Sequence, residues 1–271
     1  MCFPIKSAVM KEFHESVGVS VAAFGIVMML AAPALAADES AWADDTRSAV
    51  RLIAGANKDG AANLRGGIEI KLQPGWKTYW RYPGDSGIPP RFDFSGSDNL
   101  GRAKVLYPAP HLFTDETGNS LGYKDRVIFP LQISRKDPSK PVKLRLKIDY
   151  AACEKLCIPA EGRAELTIGT GNSAHEASLT TFETQVPKPA TAAELDLTAR
   201  RINDARKPLV AVDLKTSGKK VDVFVEGPSP EWALPIPQPA QGAPAGRRHF
   251  GFELDGLPPG VDPKEIGRAH V

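Results

Sequence analysis

The chain has 271 residues, enough for one or two domains, and a formal charge of only +2, so nothing in it suggests a nucleic-acid footprint. Glycine and proline number 24 each and long helical periodicity is scarce, which points to a turn-rich β protein.

The first 36 residues read as a targeting segment. Lys6 and Lys11 supply positive charge, residues 17–30 form an uncharged apolar run, and Ala34-Leu35-Ala36 fits a small-x-small cleavage site. The run is about 14 residues, short of the roughly 20 that span a bilayer. No other run is long enough, so the mature chain is expected to be exported, without a membrane span. Cleavage removes Cys2 and all four methionines and leaves Cys153 and Cys157 in a compartment where disulfides persist.

Short strands and turns then follow. Residues 48–54 and 67–72 alternate apolar and polar positions, and Gln73-Pro74-Gly75 is a turn. Residues 76–82 hold four aromatics. On an alternating strand Trp76, Thr78, Trp80 and Tyr82 share one face and Lys77, Tyr79 and Arg81 the other. The tryptophan face reads as core, so Tyr79 is the better candidate for a site. Further strands are expected over 91–94, 103–107, 127–133, 142–150 and 164–168. About eight strands at this spacing suit an antiparallel β-sandwich over 37–170. Residues 171–205 read as a helical connector, with one helix within 172–186 and a second over 192–202. Strands are expected again over 209–214, 220–225 and 250–254. These are too few to close a sandwich, so 206–271 reads as a second, incomplete β module.

The two cysteines sit where one strand ends and another soon begins. Residues four apart on an extended strand are roughly 13 Å apart, and a disulfide needs Cα atoms within about 7 Å. If the two bond, residues 153–157 must bend into a turn or a single helical turn. Pro159 keeps a helix from running on. A bond closing so short a loop removes little unfolded-chain entropy and makes a poor staple, which favours reversible exchange over a structural disulfide in a scaffold or interaction module. Copper or zinc handling is the other rival, with His111, His175 or His249 as added ligands. None lies at helical or hairpin spacing to the pair, and no metal site or cofactor is assigned. Ser86 does not sit in a nucleophile elbow, and no phosphate-binding glycine loop precedes a helix.

Several segments resemble one family in order: Pro74 through Arg81, Pro83 through Pro90, Gly122-Tyr123, and Tyr150 through Glu161 with both cysteines. Together they resemble the amino-terminal periplasmic domain of the thiol:disulfide interchange protein DsbD, and more closely the soluble part of its ScsB-like relatives. The resemblance implies an immunoglobulin-like sandwich in the periplasm. It would accept electrons from a membrane-embedded reductant and pass them to thioredoxin-like partners. It also implies that Cys157 forms the mixed disulfide and Cys153 resolves it. A cap loop shielding the pair would fall at Phe113, Asp115 and Glu116, with Tyr79 matching an aromatic near the site. DsbD itself has five residues between its cysteines. This chain has three, as the ScsB-like branch does. The aromatic expected after the Asp-Glu pair is absent, with Phe113 as the candidate substitute.

Overall fold

The computed structural model describes residues 37–85, 87–115, 118–202, 208–218, 220–229 and 231–261. The targeting segment with Cys2, the cap residue Glu116, Ser86 and the last ten residues lie outside the described residues.

Apolar alternation at period two is realised as two facing antiparallel sheets. The first runs β1 (Ala43–Asp44), β2 (Ser48–Ala54), β3 (Asn63–Leu72), β9 (Arg126–Arg135) and β6 (Leu100–Val105). The second runs β11 (Cys157–Ile168), β10 (Val142–Cys153), β4 (Lys77–Gly84), β8 (Gly118–Lys124) and β7 (His111–Asp115). The short β5 (Arg91–Asp93) also pairs with β10. Leu52, Ile68, Ile70, Phe129, Leu144 and Ile148 fill the space between the sheets. Phe129 is ringed edge-on by Phe92, Tyr107 and Tyr123, with centroids 5.3–5.5 Å away. The all-β, antiparallel sandwich expected from the spacing is the one found.

Strand β10 shows what happens towards the cysteines. Its first eight residues alternate between buried and half-buried, as apolar–charged alternation requires. Its last four, Tyr150, Ala151, Ala152 and Cys153, are all buried. At that end the strand is covered on both faces. Small side chains at 151 and 152 let the cover approach.

A single described helix, α1 (Glu176–Thr184), lies within the predicted 172–186 stretch. Leu179 packs between Ile53 and Ile128. Its Cδ2 lies 2.7 Å from where a Cβ on Gly55 would stand, so a glycine is needed there. Arg65 clamps the outer face of α1, at 2.7 Å from Glu176 and 2.6 Å from Glu183.

Two expected elements come out differently. The second helix over 192–202 is a turn followed by β12 (Leu197–Ile202). Thr191 and Glu194 form a reciprocal capping box that starts a helical turn. Asp196 then takes the left-handed conformation, φ 45°, and ends it. All six residues of β12 instead pair with β13 (Leu209–Leu214). The strand over 220–225 is not part of a ladder. Its alternation marks an extended, half-buried segment that uses side chains rather than backbone pairing. Phe224 lies 6.1 Å from Trp80, and Val225 packs in the cluster around Leu234 and Phe252. Strand β15 (Arg248–Glu253) pairs with β13 and with the short β14 (Gln238–Pro239), completing a four-stranded sheet.

The second module closes its apolar face against strand β4. The β4–β8 register shifts between Tyr79 and Gly84. Within that interruption Arg81 binds Glu226 through two hydrogen bonds, at 2.9 and 2.7 Å. The Tyr82 hydroxyl donates to the Leu234 carbonyl at 2.6 Å. Ile236 enters the main core. So the bulged half of β4 serves the second module. Its regular half, Lys77 to Tyr79, faces the cysteines.

Candidate functional site

Cys153 ends β10, Cys157 begins β11, and the two stand directly opposite one another in the antiparallel register. A disulfide joins them, with Cα atoms 4.1 Å apart. Glu154, Lys155 and Leu156 form the turn, with the Glu154 amide donating to the Leu156 carbonyl at 3.4 Å. The bend required of residues 153–157 is thus a hairpin tip. Strand β11 extends beyond the expected 164–168 and runs through Pro159 and Gly162. As an edge strand, β11 tolerates a proline whose missing N–H need not serve a neighbour.

The two sulfurs stand in unlike surroundings. Cys153 is 1% exposed, in a small cluster with Tyr79 and Ala151. Cys157 is exposed, next to Leu156, which is 77% exposed and is one of three large exposed hydrophobics among the described residues. Residue 157 is thus the solvent-facing member of the pair and residue 153 the buried one.

Tyr79 reaches the Cys157 sulfur. Its hydroxyl lies 3.1 Å from Cys157 Sγ, and a disulfide sulfur has no proton, so the tyrosine donates. Burial, followed by the nearby Asp115 charge, pushes the phenol above its ordinary range, which keeps it a donor at neutral pH. The ring is 2% exposed. A Cβ on Gly87 would lie 2.4 Å from it, so the loop after β4 lies flat on the ring because residue 87 has no side chain. The backbone there has φ 128°, which also favours glycine. Thr78, on the opposite face of β4, fastens that strand to β10 by donating to the Ala151 carbonyl at 2.9 Å.

Tyr79→Phe is expected to raise the Cys157 thiol pKa by about one unit, because a hydrogen bond to a charged group is worth about 1.5–3 kcal/mol and one unit is about 1.4 kcal/mol. Ultraviolet thiolate absorbance in a Cys153→Ala background reads this. An unchanged titration would show that the hydroxyl does not serve the thiolate.

Strand β7, which forms a hairpin with β8, carries Phe113 and Asp115, two of the three residues expected in a cap loop. Asp115 accepts from Lys77 Nζ at 2.9 Å, and Phe113 lies under two cations, 5.5 Å from Lys77 Nζ and 4.9 Å from Lys124 Nζ. Asp85 ties the loop after β4 to the same hairpin, since its amide donates to the Asn119 carbonyl at 2.9 Å and its carboxylate accepts from the Asn119 amide at 2.8 Å. Sequence reading missed Lys77, Asp85 and Gly87. The signal for Lys77 was its place on the Tyr79 face of an alternating strand.

The three candidate histidine ligands are dispersed. His175 binds Glu39 at 2.7 Å, His249 binds Asp213 at 2.6 Å in the second module, and His111 stacks near Phe113. Among the described residues no group of three or more His, Cys, Asp or Glu is placed to hold a metal. Nor is any described helix long and apolar enough to cross a membrane.

The fold has a solved counterpart. The N-terminal periplasmic domain of ScsB from Proteus mirabilis superposes with a TM-score of 0.60 at 21% identity, covering 80% of this chain and 84% of that one. No curated protein matches the chain. The family model for the N-terminal part of the thiol:disulfide interchange protein DsbD matches residues 49–168 and so takes in the hairpin, Tyr79 and the β7–β8 pair. Residues 49–168 of this chain are a domain of the DsbD N-terminal family.

Proposed function

We propose that the protein is an exported thiol–disulfide carrier that works through Cys157 and Cys153. The observation that carries this reading is the asymmetry of the pair, with Cys157 exposed and hydrogen-bonded by Tyr79 and Cys153 buried behind it. The family of residues 49–168 supports it.

Loading begins when a thiolate of a membrane-embedded reductant attacks Cys157 Sγ. A sulfur–sulfur bond forms to Cys157, the Cys153–Cys157 bond breaks, and its electron pair leaves on Cys153. A second thiol of the reductant then resolves that adduct. The reductant ends as a disulfide and the cysteine pair as a dithiol. Delivery runs the same chemistry forwards. The Cys157 thiolate attacks the disulfide of a periplasmic thioredoxin-like protein. Cys153 then attacks Cys157 Sγ and releases the partner reduced. The targeting segment read over 1–36, and the periplasmic origin of the ScsB domain, support the periplasm as the site of action.

Cys153→Ala removes the resolving thiol and keeps the exposed one. This variant is expected to accumulate a mixed disulfide with an oxidised thioredoxin-like protein through Cys157, detected as a reductant-sensitive adduct on non-reducing gels. No adduct under oxidising trapping would count against the carrier.

A further inference from the structure

We propose that Lys77 is the counter-charge for Cys153, offsetting the thiolate that forms there when Cys157 is attacked. This rests on the exchange reading above and adds to it the residue that makes Cys153 a competent leaving group.

Lys77 and Cys153 are paired partners in the β4–β10 ladder. Directly opposite residues on an antiparallel pair project from the same face with Cβ atoms about 4.5–5.5 Å apart. The lysine is 8% exposed, and a buried ammonium is costly unless anions and acceptors surround it. At rest its Nζ binds Asp115 at 2.9 Å and the buried Ser120 hydroxyl at 3.0 Å. An ammonium has three donors, and these partners take two. The flexible four-carbon stem lets the charge move towards the sulfur opposite.

At rest Cys153 carries no charge. Cleavage of the disulfide at Cys157 places the electron pair on Cys153, at a position 1% exposed. Without compensation, burial disfavours that thiolate, slows its departure and favours its protonation. The other charged groups nearby do not supply the compensation. Tyr79 donates to the other sulfur. Lys124, opposite Lys77 on β8, stands one strand further from β10 and has no pairing with it. Glu154 and Lys155 stand exposed on the turn with opposite charges. Asp115 is an anion and opposes a second one. Lys77 is the cation that the ladder places opposite Cys153. Because it also holds Asp115, loading of the cysteines is felt by the β7–β8 hairpin.

The test uses a Cys157→Ser variant of the full chain, in which Cys153 is the thiol of the site, titrated by ultraviolet thiolate absorbance. Adding Lys77→Met is expected to raise the Cys153 pKa by about one unit or more, a tenfold smaller thiolate fraction at fixed pH. Lys77→Arg should restore most of the shift, and Lys155→Met should leave the titration unchanged. If Lys77→Met does not fold, Lys77→Gln, which retains a donor for Asp115, carries the same comparison. A folded Lys77 variant whose Cys153 titrates as before overturns the proposal. The Cys153→Ala adduct assay separates this from the parent reading. An unmoved titration with an intact adduct removes Lys77 alone, whereas a shifted titration without an adduct removes the carrier and leaves the electrostatic pairing.

Discussion

Gly122→Ala is expected to lower thermal stability by about 3 kcal/mol, the upper end of ordinary overpacking, and Tm by about 6–12 °C. Gly122 pairs with Tyr79 across β8 and β4. A Cβ there would lie 2.0 Å from the Thr78 carbonyl oxygen and 3.0 Å from its carbon. Both are backbone atoms of a central strand and cannot swing aside, so the ladder must open. The opening occurs under Tyr79, so the variant should also lose the hydroxyl contact to Cys157. Gly96→Ala is the matched control, because its added Cβ meets only Arg145 side-chain atoms at an ordinary 3.8 Å. Differential scanning calorimetry of the two variants checks this. Equal melting temperatures would mean that strand β8 does not approach β4 as closely as described.

Cys157→Ser is expected to abolish exchange with a disulfide partner, a fall of roughly 10³-fold or more, since the accessible nucleophile is gone and Cys153 is buried. Its effect on stability should be far smaller. The disulfide spans a sequence separation of 4, and the chain-entropy relation gives about 2 kcal/mol for so short a ring. A stopped-flow or gel assay of exchange, run beside a thermal melt, reads both. The carrier predicts a large kinetic loss with a modest melt shift. An inert structural bond predicts no exchange in the parent protein to lose. The single-cysteine variants should also differ in alkylation. Cys157 in Cys153→Ala should react quickly and Cys153 in Cys157→Ser slowly, following their exposure.

Much of the architecture could be read before any coordinates, because its signals are local. Alternation over 142–150 marks one face of β10 as core, and the short loop between the cysteines demands the bend that the hairpin supplies. Tyr79 stood out because it shares a strand with tryptophans but not their face. Failures came where local signal and long-range pairing disagree. Thr191 and Glu194 do start a helical turn, but six paired residues on β13 outweigh its continuation. The valines and phenylalanine of 220–225 alternate as a strand would, yet the segment joins no ladder, and Phe224 packs on Trp80 and Val225 on the Leu234–Phe252 cluster instead. The role of Lys77 depends on register between β4 and β10, which side-chain patterning on either strand alone does not set. The close approach of Gly87 to the Tyr79 ring depends on how the loop after β4 folds back on its own strand, which a glycine in a proline-rich loop does not announce.

The most direct test of the account is equilibration of the Cys153–Cys157 pair with glutathione redox buffers, read by the fraction of protein with a free dithiol. A carrier requires a potential that partners can reach, above about −300 mV. A value well below that limit, with the pair oxidised in every physiological buffer, would make the bond a fixture of the hairpin and contradict the proposed function.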